Sequence, residues 1–404
     1  MTIGVAVLGA TGSVGVSTLE VLALHPETYH VAVLAARSNA AGLLAQCRRF
    51  QPEWAALESL EAARELEQGL RAAGCKTRVA AGADAIVQLA ADTKVDYVMA
   101  AISGAAGLRS TLAAAAAGKR LLLANKESAV MAGALLIRAI ESSGAELIPI
   151  DSEHNAIFQC LPSNYRAGRR ADGVRRLLLT ASGGPFLNWS AEAVAHATPD
   201  QACAHPRWSM GRKISVDSAT LMNKGLELIE ATVLFGMPAG DVDIVVHPQS
   251  IVHSMVEYID GSVLAQMAAP DMRVPIAQAL ATPQRMEAGV EFLDLVHAGR
   301  LDFQAPDVVR FPCLREAREA ALRGGLYCAS LNAADEVAVQ AFLDNRLNFG
   351  DIPAVIETVM DRVQGGAMTG LDAVLAADAE ARRLARDAVG QRGTVGAVPQ
   401  GVRA

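Results

Sequence analysis

The sequence IGVAVLGATGSVG, residues 3–15, is the strongest indication of the fold of the N-terminal part of the chain. Its first six residues, Ile3–Leu8, are apolar and predict a buried β-strand. Three glycines then lead into a helical pattern over residues 14–24. A strand, a glycine-rich turn and a helix in this order indicate a dinucleotide site. The turn lets the backbone approach a pyrophosphate, and the helix N-terminus offers it free N–H groups.

Short apolar strands alternate with helical stretches through the first 150 residues. This alternation predicts an α/β fold with a Rossmann-like parallel sheet, covered by helices on both faces. The further strands that the pattern predicts are Tyr29–Ala35, Asp96–Ala101, Arg120–Ala124 and Glu146–Pro149.

The pattern changes after residue 150. Residues 151–285 combine longer loops with short strands and a hairpin turn at Asp260-Gly261, which predicts a central α+β domain. A turn-rich connector over 286–312 leads to helical periodicity over 313–390, which predicts a C-terminal helical bundle. Residues 391–404 are expected to be a disordered tail.

Composition and charge limit the classes of protein. The chain has 404 residues, 51% of them hydrophobic, which is enough for more than one core. A net charge of -7 argues against nucleic-acid binding, and no apolar run reaches the roughly 18 residues of a membrane span. The six cysteines have no CxxC spacing, and the N-terminus lacks a signal-peptide pattern. We therefore expect a cytoplasmic protein with reduced thiols, without a membrane or nucleic-acid partner.

The end of the second predicted strand bears on the choice of cofactor. NAD sites usually place an acid here for the ribose hydroxyl, whereas NADP sites use arginine for the 2′-phosphate. The sequence VLAARSN, residues 33–39, has no acid and carries Arg37 in this region. We therefore expect NADPH. A solvated loop arginine is the alternative interpretation of Arg37.

Charged residues follow two of the later strands. In PIDSEHN, residues 149–155, Asp151 and Glu153 are two positions apart, so in an extended chain their side chains would point the same way. Such a pair suits a hard cation such as Mg²⁺ or Mn²⁺, and an acidic helix N-terminus is the alternative. Lys126 and Glu127 in ANKE, residues 124–127, are expected at the ligand crevice, or else as a surface ion pair.

The most informative stretch is KISVDSATLMNKGLE, residues 213–227. It places hydroxyls, an amide, a lysine and a carboxylate at the start of an apparent helix. Ser218, Asn223 and Lys224 suit a phosphate because they combine hydrogen-bond donors with one cation, and Glu227 is a candidate third metal ligand. The alternative is a capped amphipathic helix with Glu227 and Glu230 on its solvent face.

Two loops add polar candidates. TASGGPF, residues 180–186, places Ser182 in a glycine loop at a strand end. HPRWSMG, residues 205–211, holds Trp208 among polar residues, and we expect this loop to close over the substrate as a lid. A surface loop that packs its own tryptophan is the alternative.

Taken together, these motifs closely resemble the 1-deoxy-D-xylulose 5-phosphate reductoisomerase family. The resemblance runs from residue 5 to about residue 345, and residues 205–231, HPRWSMGRKISVDSATLMNKGLELIEA, are its most specific part. It implies a homodimer. Each subunit would have an NADPH domain over 1–150, a catalytic and dimerisation domain over 151–285 and a helical domain over 313–390.

The resemblance also implies roles for individual residues. The implied metal ligands are Asp151, Glu153 and Glu227. The residues implied to bind the substrate or its phosphate are Lys126, Ser152, Glu153, Ser182, His205, Trp208, Ser218, Asn223, Lys224 and Glu227. The residues implied to hold NADPH are Thr11, Gly12, Ser13, Val14, Asn39, Asn125, Glu127 and Gly211. Arg37 and Ser38 join this NADPH set, although family members often have a glycine and a basic residue there.

The implied reaction has two steps. The sugar phosphate is rearranged by breaking and re-forming a carbon–carbon bond, and NADPH reduces the resulting branched aldehyde to 2-C-methyl-D-erythritol 4-phosphate. One cation can polarise both carbonyls, so a single site can serve both steps. The resemblance thus implies an enzyme of non-mevalonate isoprenoid synthesis.

Two other functions remain open from the sequence. Semialdehyde dehydrogenases also begin with a GATGxVG turn, but they need a nucleophilic cysteine. Here Cys160 lies in FQCLP, without a glycine loop or a base. An NADP-sensing Rossmann protein would bind NADPH without turning it over, and it would need neither three acids nor a phosphate cluster.

We predict that Arg37→Glu raises the Kd for NADPH about tenfold or more, because a carboxylate there repels the 2′-phosphate that an arginine would bind. The Kd for NADH, which lacks that phosphate, should change little and serves as the internal control. Fluorescence titration of both nucleotides measures the effect. Equal turnover of the unmodified protein with NADH and NADPH would contradict the predicted preference.

Overall fold

A computed structural model of the chain describes residues 2–206 and 211–392. Within these residues the first sheet has seven strands, all parallel, in the order β4-β3-β2-β1-β5-β6-β7. They are β1 (Ile3–Leu8), β2 (Tyr29–Ala36), β3 (Trp54–Leu57), β4 (Arg78–Ala81), β5 (Tyr97–Ala100), β6 (Arg120–Leu123) and β7 (Glu146–Pro149). The predicted Rossmann-like sheet is confirmed. Its strand order reverses between β1 and β5, where such sheets bind their ligand.

Helices connect the strands of this sheet. They are α1 (Ser13–Leu24), α2 (Ala40–Phe50), α3 (Leu60–Ala72), α4 (Ala83–Ala90), α5 (Leu108–Ala116) and α6 (Lys126–Ser143), with a 3₁₀ turn at Ala105–Gly107. Residues 5–8 of β1 are fully buried, which fits a central strand that is covered on both faces.

The turn between β1 and α1 requires two of its glycines. Gly9 has a φ of +90°, and a Cβ there would lie 2.3 Å from the carbonyl oxygen of Ala101. A Cβ on Gly15 would lie 2.3 Å from the carbonyl oxygen of Gly9. Only glycine lets strand, turn and helix approach so closely. The start of α1 is thereby fixed at the carboxyl end of β1.

A second sheet follows, with four strands across the described residues in the order β11-β10-β8-β9. They are β8 (Val174–Ala181), β9 (Val242–Val246), β10 (Val252–Tyr258) and β11 (Val263–Met267). β10 and β11 pair as an antiparallel hairpin through the predicted turn, where Gly261 has a φ of +87°. β11 is therefore an edge strand.

The remaining helices lie before, between and after these strands. They are α7 (Ser152–Cys160), α8 (Ala191–Ala195), α9 (Pro199–Cys203), α10 (Arg212–Ala219), α11 (Met222–Phe235), α12 (Arg273–Ala281), α13 (Leu295–Ala298), α14 (Cys313–Arg323), α15 (Tyr327–Leu343), α16 (Ile352–Arg362) and α17 (Leu371–Gln391). Further 3₁₀ turns lie at Ala239–Asp241 and Phe349–Asp351. Of the helices that the structure describes, none is long and apolar enough to cross a membrane.

The predicted C-terminal bundle is present as α14 to α17, and α15, α16 and α17 pack on one another. An ion-pair network joins two of its helices. Arg382 of α17 pairs with Asp378 one turn earlier, at 2.7 Å, and with Glu336 of α15, at 2.5 Å. This network stabilises α15 against α17 on the side that carries Glu336.

The chain forms two compact units. The first comprises Met1–Thr180, Glu230–Asp243 and Gln249–Asp302, and the second comprises Ala181–Ile229, Ile244–Pro248 and Phe303–Ala404. The domains expected over 1–150, 151–285, 286–312 and 313–390 divide the chain by function, and those bounds stay a prediction. The expected tail at 391–404 lies outside the described residues from residue 393 onward.

We predict that Gly15→Ala lowers Tm by several degrees and raises the Kd for NADPH about tenfold, because the new Cβ forces α1 away from the turn. Gly390→Ala is the matched control. Gly390 is also helical, and a Cβ there meets nothing within 4 Å. That control should leave NADPH binding unchanged and raise stability by about 0.5–1 kcal/mol. Calorimetry and NADPH titration measure both variants, and unchanged binding in Gly15→Ala would refute the close-approach argument.

Candidate active site

The predicted nucleotide turn presents an open helix N-terminus. Gly12, the N-cap of α1, offers no side-chain cap, and the first turn of α1 contains no acid. Gly12 and Ser13 are exposed, and Thr11 and Val14 are half-buried. The free N–H groups and the positive end of the helix dipole therefore face solvent, as a phosphate site requires.

The residues expected to bind the 2′-phosphate follow β2. Arg37, Ser38 and Asn39 are exposed, and Ala35 of β2 pairs with Leu8 of β1, so this segment leaves the sheet at the same edge as the nucleotide turn. Asn39 caps α2, because its side chain accepts a hydrogen bond from the Gly42 amide at 2.9 Å. Arg37 and Ser38 are thus placed beside the turn without being buried.

Asn125 has a structural role that the sequence did not indicate. It is buried, and its side-chain oxygen accepts hydrogen bonds from the amide and the hydroxyl of Ser128 at the start of α6. Its amide nitrogen donates to the carbonyls of Ile102 and Gly104. Asn125 therefore ties the loop after β5 to the helix that begins with Lys126, and its contact with NADPH stays a prediction.

Lys126 and Asp151 form an ion pair at the carboxyl ends of β6 and β7. Their charged atoms are 2.5 Å apart, and the side chains are 9% and 10% exposed. The surface ion pair weighed for Lys126 and Glu127 is wrong for Lys126, which is buried against Asp151. Glu127, in the first turn of α6, is half-buried.

The extended geometry expected for Asp151 and Glu153 is wrong. Asp151 is the N-cap of α7 and accepts a hydrogen bond from the Glu153 amide, and Glu153 lies in the first helical turn. The helix begins here because a capped N-terminus satisfies amides that would otherwise lack acceptors. Ser152 donates to a Glu153 carboxylate oxygen at 2.6 Å. The stretch Asp151–Glu153 still gathers three oxygen-bearing side chains, held by helix capping rather than by strand alternation.

Two buried residues beside this group, His154 and Glu230, were not predicted from the sequence to belong to the site. His154 is fully buried, and its Nδ1 lies 3.6 Å from Asp151 Oδ1 and 3.3 Å from Glu230 Oε2. Glu230 is itself fully buried, so the solvent-face position considered for it is wrong. The position of His154 three residues after Asp151, on one helical face, was the available signal.

In the second unit, Ser182 and His205 are brought together. Ser182 Oγ and His205 Nε2 are 2.9 Å apart, and the same hydroxyl accepts a hydrogen bond from the Gly184 amide at 3.2 Å. Burial lowers the pKa of His205 to about 4, so its imidazole is neutral at physiological pH. His205 can therefore exchange hydrogen bonds with a ligand without adding charge.

The loop that carries Ser182 also approaches Ser218. Gly184 has a φ of +69°, and a Cβ there would lie 2.7 Å from the carbonyl oxygen of Ser218, in the last turn of α10. Ser218 is half-buried. The glycine thus places two of the expected phosphate-binding hydroxyls on neighbouring segments.

The stretch 213–227 forms two helices, not the start of one. α10 ends at Ala219 and α11 begins at Met222, and between them Leu221 has a φ of +60°. Thr220 assists the new start, because its hydroxyl accepts a hydrogen bond from the Met222 amide at 3.2 Å.

The first two turns of α11 carry three candidates, and Glu227 contacts the other two. Asn223 donates to one carboxylate oxygen of Glu227 at 2.5 Å, and Lys224 pairs with the other oxygen. Lys224 and Glu227 are buried, so the solvent-face position considered for Glu227 is wrong. Each of these two charges offsets part of the cost of removing the other from water.

Most of the loop expected to act as a lid lies outside the residues that the structure describes. Trp208 belongs to residues 207–210, which lie outside the described residues. Gly211, the next residue, is exposed and is the N-cap of α10. Its carbonyl accepts hydrogen bonds from the amide and the hydroxyl of Ser215. The cofactor contact expected for Gly211 stays a prediction.

These groups define what each unit can bind. The first unit offers an open helix N-terminus for a pyrophosphate, and carboxylate oxygens at Asp151 and Glu153 beside the ammonium of Lys126. The second unit offers the hydroxyls of Ser182 and Ser218 and the Asn223-Lys224 pair. The carboxylate oxygens of Asp151 and Glu153 are hard ligands, which fits Mg²⁺ or Mn²⁺ rather than a soft metal.

Cys160 does not have the properties of a catalytic thiol. It is buried at the end of α7, and burial raises the pKa of its thiol to about 11. A nucleophilic cysteine needs the opposite shift, toward the thiolate. The semialdehyde dehydrogenase alternative is therefore disfavoured.

Family models match the chain in succession. The model of 1-deoxy-D-xylulose 5-phosphate reductoisomerase matches residues 5–133, and that of its C-terminal domain matches residues 147–235. The model of the DXP reductoisomerase C-terminal domain matches residues 267–384.

Curated relatives are similar over nearly the whole chain. The 1-deoxy-D-xylulose 5-phosphate reductoisomerase of Pseudomonas putida is 58% identical over 383 residues, covering 95% of this chain and 96% of that protein. The protein of the same name from Cellvibrio japonicus is 57% identical over 385 residues, covering 94% and 97%.

Solved structures agree with these relatives. The crystal structure of DOX-P reductoisomerase in complex with NADPH, fosmidomycin and magnesium matches with a TM-score of 0.91 at 45% identity, over 96% of this chain and 99% of that chain. The enzyme from Zymomonas mobilis in complex with NADPH matches with a TM-score of 0.89 at 47% identity, over 96% and 98%. The chain belongs to the 1-deoxy-D-xylulose 5-phosphate reductoisomerase family.

Proposed function

We propose that this protein converts 1-deoxy-D-xylulose 5-phosphate to 2-C-methyl-D-erythritol 4-phosphate, with NADPH as reductant and Mg²⁺ or Mn²⁺ as cofactor. It is an NADP-dependent oxidoreductase that serves non-mevalonate isoprenoid biosynthesis. The observation that carries this proposal is the likeness to a solved reductoisomerase in complex with NADPH, fosmidomycin and magnesium, at 45% identity over 96% of the chain.

The metal is assigned to Asp151, Glu153 and Glu227. Support comes from the state of these carboxylates: Asp151 and Glu227 are removed from most solvent, and each faces a lysine. Buried carboxylates that already require cationic partners provide the charge and the hard oxygens that a divalent ion needs.

The phosphate end of the substrate is assigned to Ser182, Ser218, Asn223 and Lys224. The approach of the Ser182 loop to Ser218, and the place of Asn223 and Lys224 in the first turn of α11, support this assignment. Hydroxyl and amide donors with one buried ammonium suit a phosphate because they supply charge-assisted hydrogen bonds in a fixed geometry. Trp208 and His205 are assigned to the substrate as well.

NADPH is assigned to the turn after β1 and to the segments that leave the sheet at the same edge. The assigned residues are Thr11, Gly12, Ser13, Val14, Arg37, Ser38, Asn39, Asn125, Glu127 and Gly211. The exposed, uncapped start of α1 supports the pyrophosphate position.

When bound, the divalent cation polarises the substrate carbonyl and NADPH supplies a hydride. The protein's own residues position the reacting groups and stabilise the charge that develops on the substrate. Lys126 lies at the start of α6, and its ammonium points toward the carboxylate of Asp151. It can donate a hydrogen bond to an oxyanion that develops on the substrate. Ser152 holds one oxygen of Glu153 in place. His205, neutral because its pKa is about 4, can accept or donate a hydrogen bond at a substrate hydroxyl.

A second copy of this chain is the proposed partner. β11 is an edge strand, and its side chains are exposed on both faces, including Val263 (47%), Leu264 (49%) and Met267 (39%). An apolar edge strand of this kind is a template for pairing with another chain. This exposed edge and the family resemblance support a homodimer formed through the second sheet.

A reducing compartment, the cytoplasm, is the proposed location. All six cysteines are free thiols, and Cys47, Cys160, Cys313 and Cys328 are buried. Thiols held in cores without partners suit a compartment that does not form disulfides.

We predict that Asp151→Asn, Glu153→Gln and Glu227→Gln each lower kcat/KM about a thousandfold or more, because each removes a charged oxygen ligand from the metal. Turnover is followed by NADPH absorbance with 1-deoxy-D-xylulose 5-phosphate. Titration of Mn²⁺ by calorimetry should show weaker binding, and the Kd for NADPH should stay within about twofold. A short phosphonate hydroxamate should inhibit the wild type strongly.

Glu141→Gln is the control for this series. Glu141 lies on α6, is 48% exposed and pairs with Arg169 at 3.1 Å. Its turnover and Mn²⁺ affinity should match the wild type. Full activity after treatment with EDTA, or normal turnover by Glu227→Gln, would show the metal assignment to be wrong.

We predict that Leu264→Arg converts the dimer to a monomer by placing a charge in the paired edge, with an increase in dimer Kd of about a hundredfold or more. Analytical ultracentrifugation measures the change. Leu322→Arg, at a residue of α14 that is 67% exposed, is the control and should leave the mass unchanged. A wild-type protein that sediments as a monomer at micromolar concentration would refute the proposed interface.

A further inference from the structure

A buried ion cluster lies in the second unit, apart from the assigned ligands. Lys213 Nζ is 2.7 Å from Asp217 Oδ2 and 2.9 Å from Asp335 Oδ2. Lys213 and Asp217 are one turn apart on α10, and Asp335 lies in the middle of α15. The side chains of Asp217 and Asp335 are 3% and 0% exposed, and that of Lys213 is 32% exposed.

Electrostatic attraction between Lys213 and the two buried carboxylates holds the cluster together. A carboxylate that is fully removed from water is strongly unfavourable unless a cation or hydrogen-bond donors face it, and Asp335 faces Lys213. The thiol of Cys313 lies near the same acids and supplies no charge, since burial and the neighbouring carboxylates raise its pKa well above the usual value. Lys213 therefore links α10 to α15 through Asp335, and it pairs within α10 with Asp217.

The helix that this cluster holds is also the helix that carries Ser218. α10 has eight residues and no side-chain cap at Gly211, so a helix this short depends on contacts with its neighbours for its stability and orientation. Asp217 and Ser218 are adjacent. A rotation of α10 that broke the contact between Lys213 and Asp335 would turn the Ser218 side chain with it.

We propose that Asp335 is a positioning residue for the phosphate end of the substrate: through Lys213 it fixes the rotation of α10 and hence the direction of the Ser218 hydroxyl. Asp335 belongs to the helical bundle and acts through Lys213. The assignment rests on the proposed function for its substrate, and it gives α15 a part in substrate affinity as well as in stability.

The test is Asp335→Asn in the full-length enzyme, after wild-type turnover of 1-deoxy-D-xylulose 5-phosphate has been established. The KM for the sugar phosphate and the Ki of a short phosphonate hydroxamate should rise together, about tenfold. kcat and the Kd for NADPH should stay within about twofold, since an affinity contact was lost and the chemistry retained. A merely structural role would lower Tm and the active fraction without raising Ki.

Lys213→Arg is the second variant, in case Asp335→Asn folds poorly. It keeps a positive charge between the two carboxylates, but the planar guanidinium cannot occupy the position of the ammonium. KM and Ki should rise about threefold or more at nearly unchanged Tm. Asp378→Asn is the control, because Asp378 is also a largely buried acid of the helical bundle and pairs with Arg382 on α17. It should lower Tm and leave KM and Ki unchanged.

The outcomes separate the two proposals. Absence of wild-type turnover would overturn the proposed function. Wild-type turnover, together with an unchanged KM and Ki in folded Asp335→Asn or, where that variant does not fold, in Lys213→Arg, would overturn the positioning role alone. A rise in KM and Ki of similar size in Asp378→Asn would also overturn it, since the effect would then follow from general destabilisation of the bundle.

Discussion

The cost of burying a carboxylate is the constraint on which the candidate site depends. A carboxylate removed from water without a counter-charge costs several kcal/mol, so each must be met by a cation or by donors. The pairs that meet this need are Lys126–Asp151, Lys224–Glu227 and Lys213–Asp335. All three lysines lie in the first turn of a helix, where the helix dipole disfavours a cation. The positions of these three lysines are therefore explained by their carboxylate partners and not by a contribution to the stability of their own helices.

Much of the fold could be predicted from local pattern. β1 and β7 have the predicted bounds, because apolar strands between turn residues are a strong signal. β3 and β4 were missed. Their sequences WAAL and RVAA are four residues long and rich in alanine, so they carry neither a long apolar run nor clear alternation. They are strands because β3 pairs with β2 and β4 pairs with β3, so the neighbouring strand supplies hydrogen-bond partners that the two sequences do not specify by themselves.

The site was predicted less completely, since its geometry depends on contacts between distant residues. Residue types at a strand end pointed to Asp151 and Glu153, but the capped helix start that orients them was a weighed alternative rather than the main expectation. The contact between Ser182 and His205 joins residues 23 positions apart, and no local spacing indicates it. The burial of Glu227 and Glu230 was likewise hidden, because the sequence of a polar helical face is the same whether water or another side chain covers it.

The break at Leu221 has a consequence for helical phase. Each residue of an α-helix turns by about 100°, so in an uninterrupted helix Ser218 and Glu227, nine positions apart, would face opposite sides. The left-handed backbone of Leu221 ends α10 and lets α11 start at a new angle. The angle between these two side chains around the helix axes is thus set by the dihedral angles of one residue, Leu221. Leucine holds that conformation against a local steric cost, glycine would adopt it freely, and a β-branched residue would resist it. A substitution at this short joint can therefore change the angle between Ser218 and Glu227 while both helices keep their sequences.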